Sequence, residues 1–334
     1  MVAELAGIQR NIEKADRTDR KVQNLASYIN VETLKAMHKK MDAKKAVGID
    51  KVTKEEYEKN LDENLKSLVA KMKSGAYKPQ PSRRIYIPKD SKGKMRPLGI
   101  SSYEDKLVEA VIAEILTKVY EPKFYDYSYG FRPNRSCHMA VREVIKDIQL
   151  YKTSWVVEAD IKGFFDHVSH EFAKYGLSLA EEKTKILEFG RYAARKRAER
   201  GLGKPETFDF LGFTFYCSMN TERTFYRCKV KTSRKKLRNK IRAMKEWIRN
   251  NRNMPLEWLF KKINEKLRGH YQYYAVTDNI VECKRFQRQT TWYLYKYLNR
   301  RSQKRSYNHD TFFNGLLKTF PLVDPRIRVS LAYR

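Results

Sequence analysis

The chain has 334 residues and a formal net charge of +31, with 70 Lys and Arg against 39 Asp and Glu. This excess of cations, together with 22 tyrosines, favours a nucleic acid partner over a membrane, since no apolar run reaches the ~18 residues of a spanning helix; a generically basic, solvated surface is the alternative. The sequence contains neither an apolar signal core at its start nor a CxxC pair, so we expect a cytoplasmic, intracellular protein without a zinc site or a disulfide framework.

Two amphipathic helical regions are predicted near the start, at residues 11–45 and 55–73, because apolar residues recur there at helical intervals. Residues 82–89 alternate like a strand, and the polar turn at 90–94 leads into a second extended arm, so a basic β-hairpin is predicted. Its Lys-Gly-Lys turn suits a triphosphate or an RNA backbone, although such turns also occur on ordinary solvated surfaces. A helix with a buried face is predicted at residues 107–119.

A carboxylate is predicted at the end of an apolar strand. Residues 155–161 form this strand, and they carry Asp160 to its edge. Burying a carboxylate there is costly unless a metal ion or hydrogen-bond donors hold it. Two-metal phosphoryl transfer would require further carboxylates beside it. Asp166, on the following turn, is either such a group or a helix cap.

The last third of the chain changes from strand to helix. Residues 207–218 and 224–233 are rich in β-forming residues and predict an antiparallel hairpin with its turn at 219–223. From Arg234 onward the pattern is helical, with an apolar face and a crowded basic face. Further helices are predicted after Pro255 and over residues 281–298, so this region is expected to be a basic helical bundle.

Several long motifs in series resemble the group II intron reverse transcriptase and maturase family. The segments similar to its fingers and early palm are Gly48–Asp50, Tyr86–Lys89, Gly93–Leu98, Tyr129–His138 and Glu158–Asp166. The segments similar to its late palm and thumb are Leu179–Lys185, Phe208–Phe213 and Leu267–Tyr274. The order and the spacing of these motifs agree with the family.

The resemblance implies an α+β fold with right-hand polymerase-like fingers, an incomplete palm containing an antiparallel sheet, and an all-α thumb or maturase bundle. The implied domains are an N-terminal helical extension at 1–45, fingers and the first part of the palm at 46–171, the remaining palm with its β-hairpin at 172–233, and the helical thumb or maturase domain at 234–334.

The resemblance also implies roles for individual residues. Asp160 would be a remnant catalytic carboxylate and a ligand of Mg²⁺, and the incoming nucleotide would contact Lys89, Arg96, Ile161 and Phe165. The expected RNA-binding residues are Arg132, Arg135, Ser136, His138, Arg234, Lys235, Arg238, Arg242, Lys245, Arg268 and Tyr271. The basic run Arg191–Arg197 is expected to add to this surface. For Tyr271 and its neighbours Tyr273 and Tyr274, helix-bundle core is an equal alternative.

The chain departs from the family after Glu171. In the family, this block continues through a Pro-Gln-Gly segment to a hairpin carrying Tyr-Ala-Asp-Asp, whereas here Phe172 follows at once and no two Asp residues are adjacent. The remaining metal carboxylates and two central palm strands would therefore be missing, so that Mg²⁺ would not be held productively. Glu181 and Glu182 are better explained as solvated partners of nearby lysines than as substitute ligands.

We therefore expect an RNA-binding, maturase-like protein that acts in RNA splicing and is polymerase-deficient. Its expected partner is structured RNA, above all intron RNA, with an RNA/DNA duplex as a further candidate. The alternatives are an active RNA-directed DNA polymerase that is completed by another chain or shortened in this sequence, and a decaying gene product without a selected role.

Overall fold

The computed structural model describes residues 6–17, 21–88, 95–161, 182–220, 224–302 and 306–331. The chain divides into two compact units, Met1–Asn134 and Arg135–Arg334. Both units combine helices with antiparallel strand pairs, which confirms the mixed α+β class. Within the described ranges, no helix combines the length and the apolar character that crossing a membrane requires.

The first unit is built around one helical core. Its helices are α1 (Ala6–Arg17), α2 (Val31–Lys40), α3 (Lys54–Glu58), α4 (Leu61–Lys73) and α5 (Tyr103–Tyr120). The apolar face predicted at 107–119 is buried in α5, where Leu107 and Val111 pack with Leu34 of α2 and Leu65 of α4. Because α1 and α2 contribute to the same core, residue 45 does not separate two cores.

The predicted helical region at 11–45 is interrupted. Asn24 has a left-handed backbone with φ 57°, a short 3₁₀ turn follows at Leu25–Tyr28, and Asn30 begins α2 with a capping box. In this box the Asn30 side chain accepts from the Thr33 backbone N–H at 3.0 Å, and the Thr33 hydroxyl accepts from the Asn30 N–H at 3.0 Å. Local side-chain hydrogen bonds to the backbone therefore set the start of α2.

The basic hairpin is present as an antiparallel ribbon of β1 (Arg83–Pro88) and β2 (Met95–Ile100). Ile87 pairs with Arg96 in the register, and nearly every side chain of the ribbon is exposed. The turn between the strands, residues 89–94, lies outside the described residues. The ribbon therefore presents Arg96 to solvent without a core beneath it.

The second unit begins with α6 (Cys137–Leu150), followed by an antiparallel pair of β3 (Trp155–Glu158) and β4 (Lys185–Glu188) and by α7 (Arg191–Glu199). Val156 and Leu187 pair on the face that packs on the core. On the opposite face, Val157 and Ile186 pair but are 63% and 68% exposed. Among the described residues, this face of the two-stranded sheet is apolar and uncovered.

A three-stranded antiparallel sheet follows, made of β5 (Phe208–Phe210), β6 (Phe213–Met219) and β7 (Tyr226–Thr232). The pairing of β6 with β7 confirms the predicted hairpin, but the predicted single run at 207–218 is divided by a turn. Leu211 and Gly212 both have positive φ, 50° and 83°, as a two-residue type I′ turn requires. A Cβ at Gly212 would lie 2.8 Å from the Tyr274 hydroxyl, so this position suits glycine.

The predicted helical bundle forms the remainder of the second unit. It consists of α8 (Arg234–Asn251), α9 (Leu256–Tyr274) and α10 (Ile280–Leu298), followed by a π-helical turn at Thr311–Leu316 and a last helical turn at Leu317–Thr319. Leu259, Leu267, Phe286 and Leu294 are fully buried at its centre. The bundle is therefore a packed core that can hold its outer faces rigid.

Candidate nucleic-acid interface

Helix α8 separates apolar and basic residues between two faces. Leu237, Met244 and Ile248 are buried and Ile241 is partly buried, as their spacing predicts. The helix carries a single Glu among many Lys and Arg, and the exposed cations are Arg234, Lys235, Lys236, Arg238, Lys240, Arg242 and Arg249. Such a dense row of cations on a rigid helix matches the repeated charge of a phosphate backbone.

The expected RNA-binding residues Arg234, Lys235, Arg238 and Arg242 thus lie together on α8, and we call Arg234–Asn251 the basic helix. Lys245 is half-buried, with its Nζ 6.0 Å from the centroid of the Tyr293 ring. Arg268 is exposed on α9. The basic helix therefore gathers most of the cations that the sequence places in the maturase-like region.

The three neighbouring tyrosines of α9 are Tyr271, Tyr273 and Tyr274. One lies in the core of the bundle and the other two lie at its edge. Tyr271 is 1% exposed and packs in the bundle. Its side chain therefore belongs to the bundle core, which is the alternative given above for this residue, and does not face RNA. Tyr273 donates from its hydroxyl to the Leu211 carbonyl at 2.7 Å, and Tyr274 stacks on His270. The spacing of Phe260, Ile263, Leu267 and Tyr271 places all four on one helical face, a signal that predicts burial of Tyr271.

The expected RNA-binding residues near the start of the second unit make internal contacts. Ser136 caps α6 by accepting from the Met139 backbone N–H at 3.2 Å. The His138 Nε2 donates to the Tyr273 carbonyl at 2.7 Å, and its ring lies 5.0 Å from the Tyr273 ring. Both side chains therefore position α6 in this structure. Arg135 is half-buried.

Arg132 lies in the first unit, is 9% exposed, and turns its guanidinium inward. Its Nε and Nη2 donate to the Glu121 carboxylate at 2.9–3.1 Å, and its Nη1 donates to the carbonyls of Tyr125 and Ser128 at 2.7 and 2.8 Å. The guanidinium also lies over the Phe124 ring. These contacts engage most of its donors, so in this structure Arg132 holds the loop at 124–131.

The basic run at 191–197 is also partly engaged within the chain. Arg197 donates to Glu188 at 2.9 Å and to the Gly203 carbonyl at 3.0 Å, and Arg200 binds the same Glu188 carboxylate. The hydrogen bond from Arg197, with the charge of both arginines, holds the pKa of Glu188 below its usual value. These arginines therefore fix α7 to β4.

Strand β3 ends at Glu158 rather than at the predicted residue 161, so Asp160 lies two residues beyond it, and the neighbour of Asp160 is a cation. The Lys183 ammonium donates to Asp160 Oδ2 at 2.6 Å, and both side chains are exposed. Within the described residues, no three His, Cys, Asp or Glu side chains are grouped so that they could hold a metal ion. Because Mg²⁺ requires several oxygen ligands, these residues do not fit the metal centre of a polymerase.

The structure describes two of the other four residues expected at the nucleotide site. Ile161 is exposed beside Asp160, and Arg96 is exposed on β2 of the first unit. Lys89, Phe165 and Asp166 lie outside the described residues.

Sequence reasoning missed a different feature, a set of tryptophan and lysine pairs on the helical bundle. Lys296 lies with its Nζ 4.8 Å from the Trp292 ring centroid, and Lys266 lies 4.8 Å from that of Trp247.

The fold and this surface define an α+β chain whose helical bundle presents a strongly basic outer face. Two parts of the chain match known protein families. Residues 87–174 match the family described as reverse transcriptase (RNA-dependent DNA polymerase), and residues 234–313 match the group II intron, maturase-specific domain. The chain thus joins a reverse transcriptase segment to a group II intron maturase-specific domain.

Individual relatives agree with this assignment. The chain is 46% identical over 109 residues to Group II intron-encoded protein LtrA of Lactococcus lactis subsp. cremoris, which is 33% of this chain and 18% of that protein. It is 40% identical over 126 residues to Protein YkfC of Escherichia coli, or 37% and 33% of the two chains. Identity to Nuclear intron maturase 1, mitochondrial, of Arabidopsis thaliana is 30% over 100 residues, 29% of this chain and 14% of that protein. The matched part is therefore a third or less of each of these relatives.

Proposed function

We propose that this chain is a group II intron maturase-like protein that binds structured intron RNA and lacks polymerase activity of its own. The observation that carries the proposal is the basic helix, which opens the residues matched to the maturase-specific domain. Its cations stand on a helix whose other face is fixed in a packed core. Binding energy, rather than covalent chemistry, then promotes the splicing fold of the RNA.

In this proposal, the fingers and the first part of the palm comprise residues 46–171, the remaining palm comprises residues 172–233, and the thumb comprises residues 234–334. The reverse transcriptase match ends at residue 174, close to Glu171, where the family's Pro-Gln-Gly and Tyr-Ala-Asp-Asp blocks would follow. The pairing of Asp160 with Lys183 supports a polymerase-deficient chain.

The attraction between the protein's cations and RNA phosphates sets how strongly the RNA affinity should depend on salt. If the protein neutralises about 6–10 phosphates, its affinity falls roughly 10³–10⁵-fold between 50 and 200 mM salt because counterions are released on binding. Each phosphate contact that is removed lowers the slope of log affinity against log salt by roughly 0.7–0.9. The salt slope therefore counts the phosphate contacts of the whole protein, and its change when cations of the basic helix are removed counts the contacts made by that helix.

The test compares two double variants in binding to a structured group II intron RNA at several salt concentrations. Arg238→Ala with Arg242→Ala removes two exposed cations from one side of the basic helix, and we expect weaker binding and a slope lower by about 1.4–1.8. Lys66→Ala with Lys71→Ala on α4 removes the same charge from exposed positions elsewhere and is the matched control. Equal slopes for the two variants, or no binding by the unmodified protein, would contradict the proposal.

One observation favours the alternative of a polymerase completed by another chain. The paired Val157 and Ile186, with Trp155 beside them, form an apolar face that the described residues leave exposed. A second protein that supplies the missing palm segment would bury this face if part of it packs there. Primer extension on an RNA template separates this alternative from the main proposal, because only the completed polymerase would incorporate nucleotides.

A further inference from the structure

The outer side of α10 carries a stripe of cations around one tryptophan, with Arg285 and Arg288 exposed and Lys296 half-buried. Arg285, Arg288, Trp292 and Lys296 are spaced by three, four and four residues and so lie on one side of the helix. The opposite side, with Cys283, Phe286, Thr290 and Leu294, is buried. Trp292 is 50% exposed and is not among the side chains packed against the bundle core.

The Trp292 indole is held in place by its neighbours. The Lys296 ammonium lies over it at 4.8 Å from the ring centroid, and the Tyr293 ring meets it edge to face, with the centroids 5.2 Å apart at 72°. Tyr293 is in turn contacted by Lys245 of the basic helix, at 6.0 Å from its centroid. Because α10 packs against α8, the Trp292 site is continuous with the basic helix.

We propose that Trp292, flanked by Arg288 and Lys296, binds an unpaired nucleotide of the RNA, with the base stacked on the indole and its phosphates held by the two cations. This inference rests on the proposed function and adds to it the class of RNA element that is recognised. Aromatic side chains stack on unpaired bases because every base presents a π-face once it leaves a duplex. The site therefore selects a loop, bulge or single-stranded segment.

The other exposed tryptophan of the bundle shows why this position is favoured. Trp258 stacks on Trp247 with the centroids 6.0 Å apart at 21°, and Lys266 covers Trp247. Each of these rings already has an aromatic partner across α8 and α9. Among the described residues, the ring partner of Trp292 is Tyr293 in a T-shaped contact, and half of the Trp292 side chain is exposed, which leaves ring surface on which a base can stack. A second copy of this chain is a poor partner here, because both copies carry a net charge of +31.

The test uses tryptophan fluorescence and binding of a short single-stranded oligo(A) RNA at low salt. We expect oligo(A) to quench the fluorescence of the unmodified protein, whereas a blunt RNA duplex of the same length quenches much less. Trp292→Leu should remove this quenching and weaken oligo(A) binding roughly five- to hundred-fold. Trp292→Tyr should keep most of the affinity because it keeps a stacking ring. Since Trp292 lies outside the core, all these variants should melt at an unchanged temperature.

The matched control is Trp258→Leu, which removes a tryptophan of the same bundle and should leave oligo(A) affinity nearly unchanged. If Trp292→Leu binds oligo(A) as well as the unmodified protein does, or if duplex and single strand quench equally, the stacking site is overturned while RNA binding by the basic helix stands. If the fluorescence responds to anionic phospholipid vesicles and not to oligo(A), the site is overturned in favour of a membrane surface. If the unmodified protein binds neither oligo(A) nor intron RNA, the proposed function falls as well.

Discussion

Asp160 and Lys183 form an ion pair, with the Lys183 ammonium 2.6 Å from Asp160 Oδ2. The hydrogen bond to Asp160 and the charge of that carboxylate raise the pKa of Lys183. A cation thus neighbours the carboxylate that a polymerase would turn toward Mg²⁺. Because a positive charge opposes the approach of a divalent cation, the pair weakens the case for a metal site at the end of β3.

Primer extension on an RNA template, with Mg²⁺ or Mn²⁺, tests the consequence of this pairing. We expect no incorporation by the unmodified protein, and Asp160→Ala should bind intron RNA at least as tightly, because a carboxylate repels phosphate and its removal takes away no cation. A reverse transcriptase of known activity in the same buffer is the positive control. Incorporation by the unmodified chain that is lost in Asp160→Ala would favour the polymerase alternative instead.

Arg132→Met should destabilise the first unit by about 2–3 kcal/mol in urea unfolding. The substitution leaves the Glu121 carboxylate and the carbonyls of Tyr125 and Ser128 without the donors that now satisfy them. The larger destabilisation expected when one partner of a fully buried ion pair is removed does not apply here, because the Glu121 side chain is partly exposed. Arg132→Lys should recover only part of the loss, since an ammonium cannot reproduce the planar fork.

Lys66→Ala, on the exposed side of α4, is the control for the loss of one cation from the first unit. Its unfolding midpoint should stay close to that of the unmodified protein. If the urea unfolding midpoint of Arg132→Met is also unchanged and its RNA binding is weaker, Arg132 contacts RNA rather than stabilising the first unit.

Asn279→Ala should destabilise the second unit by about 2–4 kcal/mol. The Asn279 side chain is fully buried, accepts from the Thr232 backbone N–H at 2.6 Å, and donates to the Tyr274 carbonyl at 2.7 Å. Alanine would leave both backbone groups buried without partners. Thermal melting is the measurement, with Asn250→Ala on the exposed side of α8 as the control. Similar melting temperatures for the two variants would show that the hydrogen bonds of Asn279 do not stabilise the second unit.

His270 should make the stability of the second unit depend on pH between about 6.5 and 4. Burial, reinforced by the charge of Lys240, lowers its pKa from 6.5 to about 4. At pH 7 the ring is neutral in the folded state and mostly neutral in the unfolded chain, so its effect on the free energy of unfolding is small. As the pH falls, the unfolded chain takes up the proton first, so stability is lost progressively, by up to about 3 kcal/mol near pH 4.

His270→Phe keeps an aromatic ring against Tyr274 and Phe286 but cannot be protonated. The free energy of unfolding of this variant, measured from pH 7 to pH 4, should fall by less than that of the unmodified protein. His309→Gln, at an exposed position, should follow the unmodified curve. Parallel curves for all three proteins would rule out His270 as the source of the pH dependence.

The sequence by itself determined the features that depend on local pattern. Apolar spacing located the buried faces of α5 and α8, the extended arms of β1 and β2, and the pairing of β6 with β7. Net charge predicted a basic surface, and serial motifs predicted the reverse transcriptase and maturase segments that the comparisons match. These properties follow from neighbours within a few residues, or from composition, and do not require the chain to close on itself.

Only the tertiary structure decided which polar and aromatic side chains are free to bind. Tyr271 and Trp292 are both aromatic residues on helices of one bundle, yet the first is buried and the second is half-exposed. Arg132 is directed inward to Glu121, and Asp160 meets a lysine 23 residues away. Burial and ion pairing depend on which distant groups packing brings within a few ångströms, a property that no single stretch of sequence contains.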